Sequence, residues 1–419
     1  MAAPAIAGRR NAKSLYAILF LALALRIVWA GLVPVVPLSD SVVYDLFARE
    51  IAAGRGYAFP DGSATVYWAV GASALYAMAY TLLGAGDTAV VVTNILLGCG
   101  FVAATYWLAL NRFGTRTSLI AGLVTAAWPV WIQFTTVLNS ELPFVFLLAL
   151  SMAVQSEIRI RPVTRIVLAS VLLCGAIYVR PIALPLVLAL PLLGWVQHRN
   201  LKRAAIETTL SCLIVAALLT PWALRNHELF GQPVLVSANF GANLWMGNNP
   251  ASTGGYMDLP PIATRNEVER DAELKTRAMT FIRENPGRYL MLCLRRIALT
   301  FDRESIGVSW NAQGLSAPAR LPLKIISAAY WYAVLGLALA GLALWLRKGL
   351  IGVFDPLFAA TGLFTAIGVM VVGMDRYHMP LAPFMAIYAA IAINRFWAHF
   401  RPETHDLAAQ NRGAANISE

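Results

Sequence analysis

The chain has 419 residues, of which 58% are hydrophobic and only 13% are charged. A soluble domain has about 45–50% apolar and about 25% charged residues, so this composition excludes an ordinary soluble protein. The formal net charge of +11 does not indicate nucleic-acid binding, because the Lys and Arg residues fall mostly in short segments between apolar runs. That distribution is typical of the cytoplasmic loops of a membrane protein.

The first apolar run extends from residue 15 to about residue 37, behind Arg9, Arg10 and Lys13. It is longer than the apolar region of a cleaved signal peptide, so we expect a retained membrane span with its N-terminus in the cytoplasm. A span needs about 20 mainly apolar residues. Further predicted spans lie at 88–110, 117–137, 141–157, 165–180, 182–197, 204–223, 324–346, 353–373 and 379–397.

One more apolar run, at residues 66–84, decides the topology. If it spans the membrane, there are eleven spans and several basic loops are exported. If it does not, there are ten spans, both termini are cytoplasmic, and every basic cluster is cytoplasmic. We therefore expect residues 66–84 to form a helix that lies in or dips into the outer face, as its aromatic residues favour. The predicted fold class is an all-α polytopic membrane protein of about ten transmembrane helices with amphipathic helices on its outer face.

This topology divides the chain into four parts. We predict an N-terminal transmembrane module at 1–223 that contains a first outer loop (38–87), a large outer segment at 224–323, C-terminal transmembrane helices at 324–398 and a disordered cytoplasmic tail at 399–419. The outer segment is too long to be an idle connection. It contains two amphipathic stretches, at 265–283 and 289–296, and we expect the second to lie on the outer membrane surface.

Two acids at the outer ends of predicted spans are candidates for catalysis. Asp40 follows the first span directly, so its carboxyl should lie near the headgroup plane, at the depth of a membrane lipid's phosphate. Glu141 opens a later span on the same side. Asp40 could instead only cap the helix that begins at Ser41, and Glu141 could only be a first-turn acid at a helix N-terminus. A shared site requires at least that Asp40 and Glu141 lie on the same side of the membrane.

Polar residues at other outer junctions are candidates for substrate binding. Arg180, between two spans, could bind a phosphate through its planar guanidinium or could snorkel to the lipid headgroups. The outward turn near the end of the chain combines a fixed cation, a phenol and an imidazole. These groups could bind substrate, or they could only anchor the turn to the lipid headgroups. That turn contains Arg376, Tyr377 and His378, and a similar polar cluster at the start of the outer segment contains Arg225 and Asn226. No second His or Cys stands near His378, so no metal ligand is assigned.

Arg26 lies near the middle of the first span, where an arginine costs roughly 2.5–3.5 kcal/mol on insertion scales. No intramembrane acid is an obvious partner for it, and no role is assigned.

These features, in this order, resemble the polyprenyl-phosphate-sugar-dependent glycosyltransferases of the GT-C fold. The specific resemblance is to glycosyltransferase family 39 and its relatives, which include protein O-mannosyltransferases and lipid A aminoarabinose transferases. Two positions depart from the pattern: Gly71 follows Ala-Val where many relatives have Pro-Pro, and a serine follows Asp40 where the acid is often doubled. The matching segments are Arg26, Asp40 with Tyr44, Ala48, Gly54, Gly56 and Tyr57, then 68–84, 139–141, 178–181, 221–226, 247–250, 254–256, 285–286 and 376–380.

The resemblance implies a sugar donor carried on a polyprenyl phosphate and an acceptor that is a glycolipid, a glycan or a protein. It implies that Asp40 takes the proton of the acceptor hydroxyl, that Glu141 orients the acceptor or the sugar, and that Arg180 and Arg376 contact the phosphate. A single displacement would invert the anomeric centre. The other implied substrate-binding residues are Tyr44, Asp45, Tyr57, Arg225, Asn226, Tyr377 and His378. No cofactor is implied, although the acid pair could hold a divalent metal ion.

The implied location is the inner (plasma) membrane, with the site facing the periplasm. Three alternatives remain at this stage. A transporter or lipid flippase would have more ionisable groups within its spans and repeated halves. A polysaccharide polymerase or ligase also uses polyprenyl carriers, and it differs mainly in lacking an acid directly after the first span. A binding or assembly protein would not need these acids.

Overall fold

The computed structural model describes residues 3–189, 200–264, 266–347, 349 and 355–400, and these are mostly helical. Short 3₁₀ turns lie at Phe134–Thr136, Pro181–Ala183 and Met379–Leu381. The helices are α1 (Ala3–Leu32), α2 (Asp40–Ala52), α3 (Val70–Leu83), α4 (Asp87–Phe113), α5 (Thr115–Ala127), α6 (Pro129–Gln133), α7 (Glu141–Ser156), α8 (Pro162–Val179), α9 (Leu201–Phe230), α10 (Phe240–Gly247), α11 (Glu267–Glu284), α12 (Pro286–Phe301), α13 (Ile306–Trp310), α14 (Ala317–Leu346), α15 (Pro356–Met370) and α16 (Ala382–Phe400).

The chain is a multi-pass membrane protein. Among the described residues, six helices are long and apolar enough to cross a membrane: α1, α4, α8, α9, α14 and α16. A seventh span is present if the bent pair α5–α6 crosses as one unit, while α7 and α15 are shorter apolar helices. The second half of the predicted span at 182–197, the start of the one at 353–373 and the predicted tail from residue 401 onward lie outside the described residues. The count of ten therefore stays a prediction.

Helix α3 occupies the run that decided the topology. It has 14 residues, fewer than the about 20 that a span needs. Its Tyr76 and Tyr80 are buried in a cluster with Tyr44 of α2, so much of α3 faces protein. The prediction that this run does not cross the membrane is untested, and the length of α3 agrees with it.

The interior of the bundle lies around α7 and α16. Helix α7 packs between α4 and α8, and α16 packs against α14 and α5. Small residues allow these helices to approach closely, as is usual in membrane bundles. At Gly341 of α14, an added Cβ would lie on the carbonyl oxygen of Tyr388 in α16. This packing fixes the ends of the helices from which the candidate site is built.

Residues 224–323, which we call the outer segment after their predicted location, are attached to the end of α15 by a buried arginine. Arg296 of α12 is fully buried and donates to the carbonyls of Val369 and Met370, which the end of a helix leaves without partners. It also donates to the side chain of Asn248, just after α10, at 2.6 Å. The outer segment is thereby held to the turn that carries Arg376.

Candidate active site

Four charged side chains from separate parts of the chain meet at one end of the bundle. Arg376 Nη1 lies 2.6 Å from Asp40 Oδ2 and 3.6 Å from Glu141 Oε1, and Arg180 Nη1 lies 3.1 Å from the same Glu141 oxygen. Acids and arginines therefore alternate in the order Asp40, Arg376, Glu141, Arg180. We call these four residues the charge cluster. Glu141 is fully buried, whereas 27% of the Asp40 side chain is exposed.

A strained turn places Asp40 in the charge cluster. Ser39 has φ 57° and ψ −128°, and it is the sole non-glycine residue with positive φ in the described part of the chain. The Ser41 amide donates to the Leu38 carbonyl at 3.2 Å, which closes a type II′ turn with Ser39 at a position dominated by glycine. The Ser41 hydroxyl donates to the Leu138 carbonyl at 2.7 Å. The start of α2 is thus tied to the segment that leads into Glu141.

Replacing Ser39 by glycine should stabilise the protein. The strained backbone costs about 1–3 kcal/mol, and a glycine costs about 0.5–1 kcal/mol through chain entropy, so we expect a net gain of about 1 kcal/mol. The measurement is the midpoint of thermal denaturation of the purified protein in detergent. Ser316→Gly is the matched control, because Ser316 also precedes a helix but has φ −60°. If Ser39→Gly is no more stable than Ser316→Gly, the backbone at Ser39 is not strained.

Glu141 begins α7 and is held by the residues before it. The Asn139 side chain accepts from the Leu142 amide at 2.7 Å and caps the helix, while Glu141 Oε2 accepts from the Ser140 amide at 3.2 Å. The Tyr44 hydroxyl donates to Ser140 Oγ at 3.2 Å. Glu141 Oε1 accepts no hydrogen bond in the described structure and lies between the two guanidinium groups. The helix N-terminus also favours its negative charge.

Arg180 lies where α8 ends. Its amide donates to the Ala176 carbonyl at 2.8 Å, and Pro181 then prevents the helix from continuing. Helix α3 packs directly on this end, because a Cβ added to Gly71 would lie 2.6 Å from the carbonyl carbon and oxygen of Tyr178. A glycine at position 71 therefore lets α3 touch the backbone two residues before Arg180.

A Gly71→Ala substitution should separate α3 from α8. We expect a loss of about 1–3 kcal/mol of stability, as for other overpacked sites, together with lower activity because Arg180 moves. Thermal denaturation and the transfer assay described below measure the two effects. Gly336→Ala is the control, since nothing lies within 4 Å of the Cβ it would add. Equal behaviour of the two variants would show that the α3–α8 contact is not needed.

Arg376 is held as a cation. Desolvation lowers its pKa, but the charges of Asp40 and Glu141 outweigh this effect, so the net shift is upward. Its guanidinium carbon also lies 5.2 Å from the ring centre of Trp310 and 5.9 Å from that of Tyr377. Burial raises the pKa of Tyr44, and the charges of Asp40 and Glu141 raise it further, so its phenol keeps its proton.

Three aromatic residues near the charge cluster were not predicted as site residues. Trp310 contacts Arg376, and Tyr67 and Tyr256 both lie within electrostatic reach of Asp40. Burial raises the pKa of Tyr67 to about 12, and neighbouring acids including Asp40 contribute to the shift. Tyr67 is visible in the sequence as an interfacial aromatic and Tyr256 as part of a Gly-Gly-Tyr segment. Nothing in the sequence marks Trp310.

The predicted residues of the first outer loop bind protein groups. Asp45 accepts from Tyr80 at 2.5 Å and from Arg49 at 2.9 Å, and the Tyr57 hydroxyl donates to the Trp68 carbonyl at 3.0 Å. These contacts join α2, α3 and the loop between them.

Arg225 and Asn226 also hold backbone segments. Arg225 donates to the carbonyls of Thr65 and Tyr57 at 3.0 and 2.8 Å, and Asn226 donates to the Val234 carbonyl at 2.7 Å. These two residues therefore fasten the first outer loop to the outer segment, and their described contacts do not include the charge cluster.

His378 lies in the protein interior, where its ring stacks on Trp331 with 3.9 Å between ring centres. Its Nδ1 is 2.8 Å from the Thr300 carbonyl and its Nε2 is 3.1 Å from Glu304 Oε1. Both ring nitrogens thus face oxygen atoms of neighbouring residues. The described contacts of His378 include Thr300, Glu304 and Trp331 but no residue of the charge cluster.

Arg26, which had no predicted partner, is fully buried and donates from Nη1 to the carbonyl of Ala22 in its own helix. Gly98 of α4 leaves the space that its side chain fills. No ion pair to Arg26 occurs within the described ranges.

The two carboxylates of the charge cluster are its potential metal ligands. In the part of the chain that the structure describes, no group of three or more His, Cys, Asp or Glu residues could hold a metal ion. Asp40 and Glu141 each face a guanidinium group. The two arginines of the charge cluster can therefore bind an anion next to the carboxylates of Asp40 and Glu141.

Comparison with solved structures finds similar chains among membrane enzymes. The oligosaccharyltransferase of Archaeoglobus fulgidus in the apo form is 12% identical with a TM-score of 0.58, and the match covers 96% of this chain and 52% of that one. The same organism's oligosaccharyltransferase AglB, in complex with an inhibitory peptide and a dolichol-phosphate, is 13% identical with a TM-score of 0.55, covering 97% and 52%. This chain therefore spans about half the length of the archaeal chains. At these identities the likeness shows the fold.

ArnT from Cupriavidus metallidurans, bound to undecaprenyl phosphate, is 14% identical over 91% of this chain and 77% of that one. Its TM-score of 0.46 is too low to support an argument. No protein-family model and no curated protein sequence matches this chain.

Proposed function

We propose that this chain, which has the GT-C fold that the sequence resemblance predicted, is a membrane glycosyltransferase that transfers a sugar from a polyprenyl-phosphate carrier to an acceptor hydroxyl. The observation that carries the proposal is the charge cluster, in which two arginines and two acids alternate at the ends of the helices. The archaeal oligosaccharyltransferase of similar fold is described with a dolichol-phosphate, a lipid carrier of this class.

The chemistry needs one base and a binding site for the departing phosphate. Asp40 takes the proton of the acceptor hydroxyl while that oxygen attacks the anomeric carbon. The bond between this carbon and the phosphate oxygen breaks, and the polyprenyl phosphate leaves as an anion. Because the phosphate is a good leaving group, the second carboxylic acid that a glycoside hydrolase uses to protonate its leaving group is not required. The single displacement inverts the anomeric centre.

Donor binding also activates Asp40. Arg376 Nη1 lies 2.6 Å from Asp40 Oδ2, so this ion pair occupies one oxygen of the carboxylate. A donor phosphate is a better bidentate partner for a guanidinium than a single carboxylate oxygen. When Arg376 and Arg180 turn to the phosphate, Asp40 is released to accept a proton. Glu141, which is buried between the two arginines, keeps both guanidinium groups in place.

The site faces the extracytoplasmic side of the inner membrane, and both termini are cytoplasmic. The cluster residues lie after α1, at the start of α7, after α8 and between α15 and α16. Basic residues lie at the opposite end of the bundle. Arg112 at the end of α4 pairs with Asp355, which precedes α15, and Arg165 in the first turn of α8 faces Glu207. The positive-inside rule assigns that second end to the cytoplasm.

Deletion of the gene tests this function. Without the enzyme, a polyprenyl-phosphate-linked sugar should remain unconsumed, and one class of envelope glycan, glycolipid or protein should lose one sugar. Mass spectrometry of lipids and glycans from deletion and complemented cells measures both changes. A deletion that alters the distribution of a solute or lipid across the membrane, with every glycan unchanged, would instead support a transporter and contradict the proposal.

A further inference from the structure

A concave site separate from the charge cluster lies in the large outer segment. A cleft of about 480 Å³ opens between α10, α11 and the start of α12, and none of its lining residues belongs to the charge cluster. Its volume falls within the about 300–1,000 Å³ that is usual for small-molecule sites. We call it the outer cleft. Its lining includes Trp245, Arg277, Phe281, Glu284, Asn285 and Arg288.

The walls of the outer cleft are held together by short contacts. A Cβ added to Gly241 of α10 would overlap the Asp271 carbonyl of α11, so the two helices touch through their backbones. The Asp271 carboxylate accepts from the Ala242 amide at 2.9 Å and caps α10. Across the cleft, Arg288 donates to the Pro250 carbonyl at 3.0 Å. The outer cleft is therefore preformed.

The chemistry of the lining suits a saccharide with a negative charge. Trp245 is half-buried and Phe281 is buried, and together they give the cleft an apolar base. A sugar ring can lay its C–H face on such an aromatic surface while side-chain amide, carboxylate and hydroxyl groups at the rim bind its hydroxyls. Arg277 and Arg288 are exposed. Arg277 Nε is paired with Glu273 at 2.7 Å, so the Nη groups of Arg277, together with the guanidinium of Arg288, are the donors that match a carboxylate or phosphate substituent.

The position of the outer cleft favours a ligand that is anchored in the membrane. Helix α12 exposes Leu290, Met291, Leu294 and Ile297, a stripe that begins two residues after Arg288. An exposed apolar stripe on an amphipathic helix is typical of a helix that lies at the membrane surface. The outer cleft would then open beside the lipid headgroups, where the saccharide of a glycolipid lies.

Hydrogen bonds between neighbouring segments also connect the outer cleft to the turn of the charge cluster. Asn248, three residues after Trp245, donates to the carbonyls of Met370 and Val371. The Gly373 amide donates to the Gly254 carbonyl at 2.9 Å. One segment of the outer chain thus borders the cleft and supports the turn that carries Arg376.

We propose that the outer cleft binds the anionic saccharide of a membrane-anchored acceptor. This rests on the proposed function and defines its acceptor class as an acidic glycolipid. The chain's own acceptor is thereby held by its sugar while the hydroxyl to be modified reaches Asp40.

The test is a binding measurement on the full chain in nanodiscs of zwitterionic lipid. The probes are a disaccharide that contains a uronic acid, a neutral disaccharide of the same size, and inorganic phosphate. The uronic-acid disaccharide should bind more tightly than the other two. Trp245→Ala and Arg288→Gln should each weaken its binding by about tenfold, the equivalent of one lost stacking or charged contact. Trp397→Ala and Arg283→Gln are the controls, because both residues are exposed and lie outside the cleft.

Two results would overturn the proposal. One is a uronic-acid disaccharide that does not bind, or whose binding the cleft variants do not change. The other is phosphate that binds as tightly, together with added phosphatidylglycerol that displaces the disaccharide, which would make the cleft a phospholipid headgroup site. The same measurement on Asp40→Asn separates the two proposals, since saccharide binding should survive in that variant. If the Asp40→Asn protein is active and still binds the disaccharide, the proposed catalytic role of Asp40 is wrong, while the proposed saccharide site in the outer cleft is still supported.

Discussion

An Asp40→Asn protein should be folded in the membrane and unable to transfer sugar. Asparagine has nearly the same shape as aspartate but cannot take the acceptor's proton, and a general base contributes about 10²–10⁴-fold to a rate. The substitution also leaves an amide oxygen that can accept from Arg376, so the charge cluster keeps most of its packing. Transfer is measured with purified protein in vesicles, by mass spectrometry of the donor lipid and the glycosylated product.

Asp61→Asn is the matched control for this experiment. Asp61 is an exposed acid in the same outer loop, and it accepts from Ser63 in a local turn that asparagine can also make. The control should transfer sugar within about twofold of the unchanged protein, as is usual for surface substitutions. An Asp40→Asn protein with the activity of the control would remove the base from the mechanism.

An Arg376→Gln protein should bind the donor poorly and transfer sugar about 10²–10³-fold more slowly, as when one group that stabilises transition-state charge is removed. Arg376 is the shared partner of Asp40 and Glu141. Its loss leaves the two carboxylates without the cation between them and repels an incoming phosphate. Binding of a polyprenyl phosphate, measured by native mass spectrometry, should fall together with transfer.

Arg376→Lys should restore only part of this loss, because an ammonium keeps the charge but lacks the planar pair of donors. Arg303→Gln is the control, since Arg303 is an exposed arginine that pairs with its exposed neighbour Asp302. If Arg376→Gln and Arg303→Gln bind polyprenyl phosphate equally, Arg376 does not contact the phosphate.

The sequence was sufficient to predict a shared location for the charge cluster. Asp40, Glu141, Arg180 and Arg376 each stand at a boundary of an apolar run, and the basic loops assign those boundaries to one side. The sequence also predicts the amphipathic stretches at 265–283 and 289–296; the first coincides with α11 from residue 267 onward, and the second lies in α12. Both inferences rest on local pattern. The predicted GT-C-like fold is confirmed, whereas the roles assigned to these residues stay predictions.

Other features depended on partners that are distant in the chain. His378 resembles a site residue because its neighbours are Arg376 and Tyr377, but its ring nitrogens face Thr300 near the end of α12 and Glu304 in the segment after that helix. Arg225 likewise belongs to a polar cluster in sequence, but its guanidinium donates to the carbonyls of Thr65 and Tyr57, which lie about 160 residues earlier in the chain. Periodicity and charge do not specify such pairings. The backbone strain at Ser39 was also invisible, because serine usually has negative φ.

The central claim is that the charge cluster is where a lipid-linked phosphate departs and Asp40 acts. A cryo-electron microscopy structure of the full chain with bound polyprenyl phosphate tests it directly. We expect the phosphate within hydrogen-bond distance of Arg376 or Arg180, with Arg376 withdrawn from Asp40 and the Asp40 carboxylate open to solvent. A phosphate bound elsewhere, with the contact between Arg376 and Asp40 intact, would contradict the account.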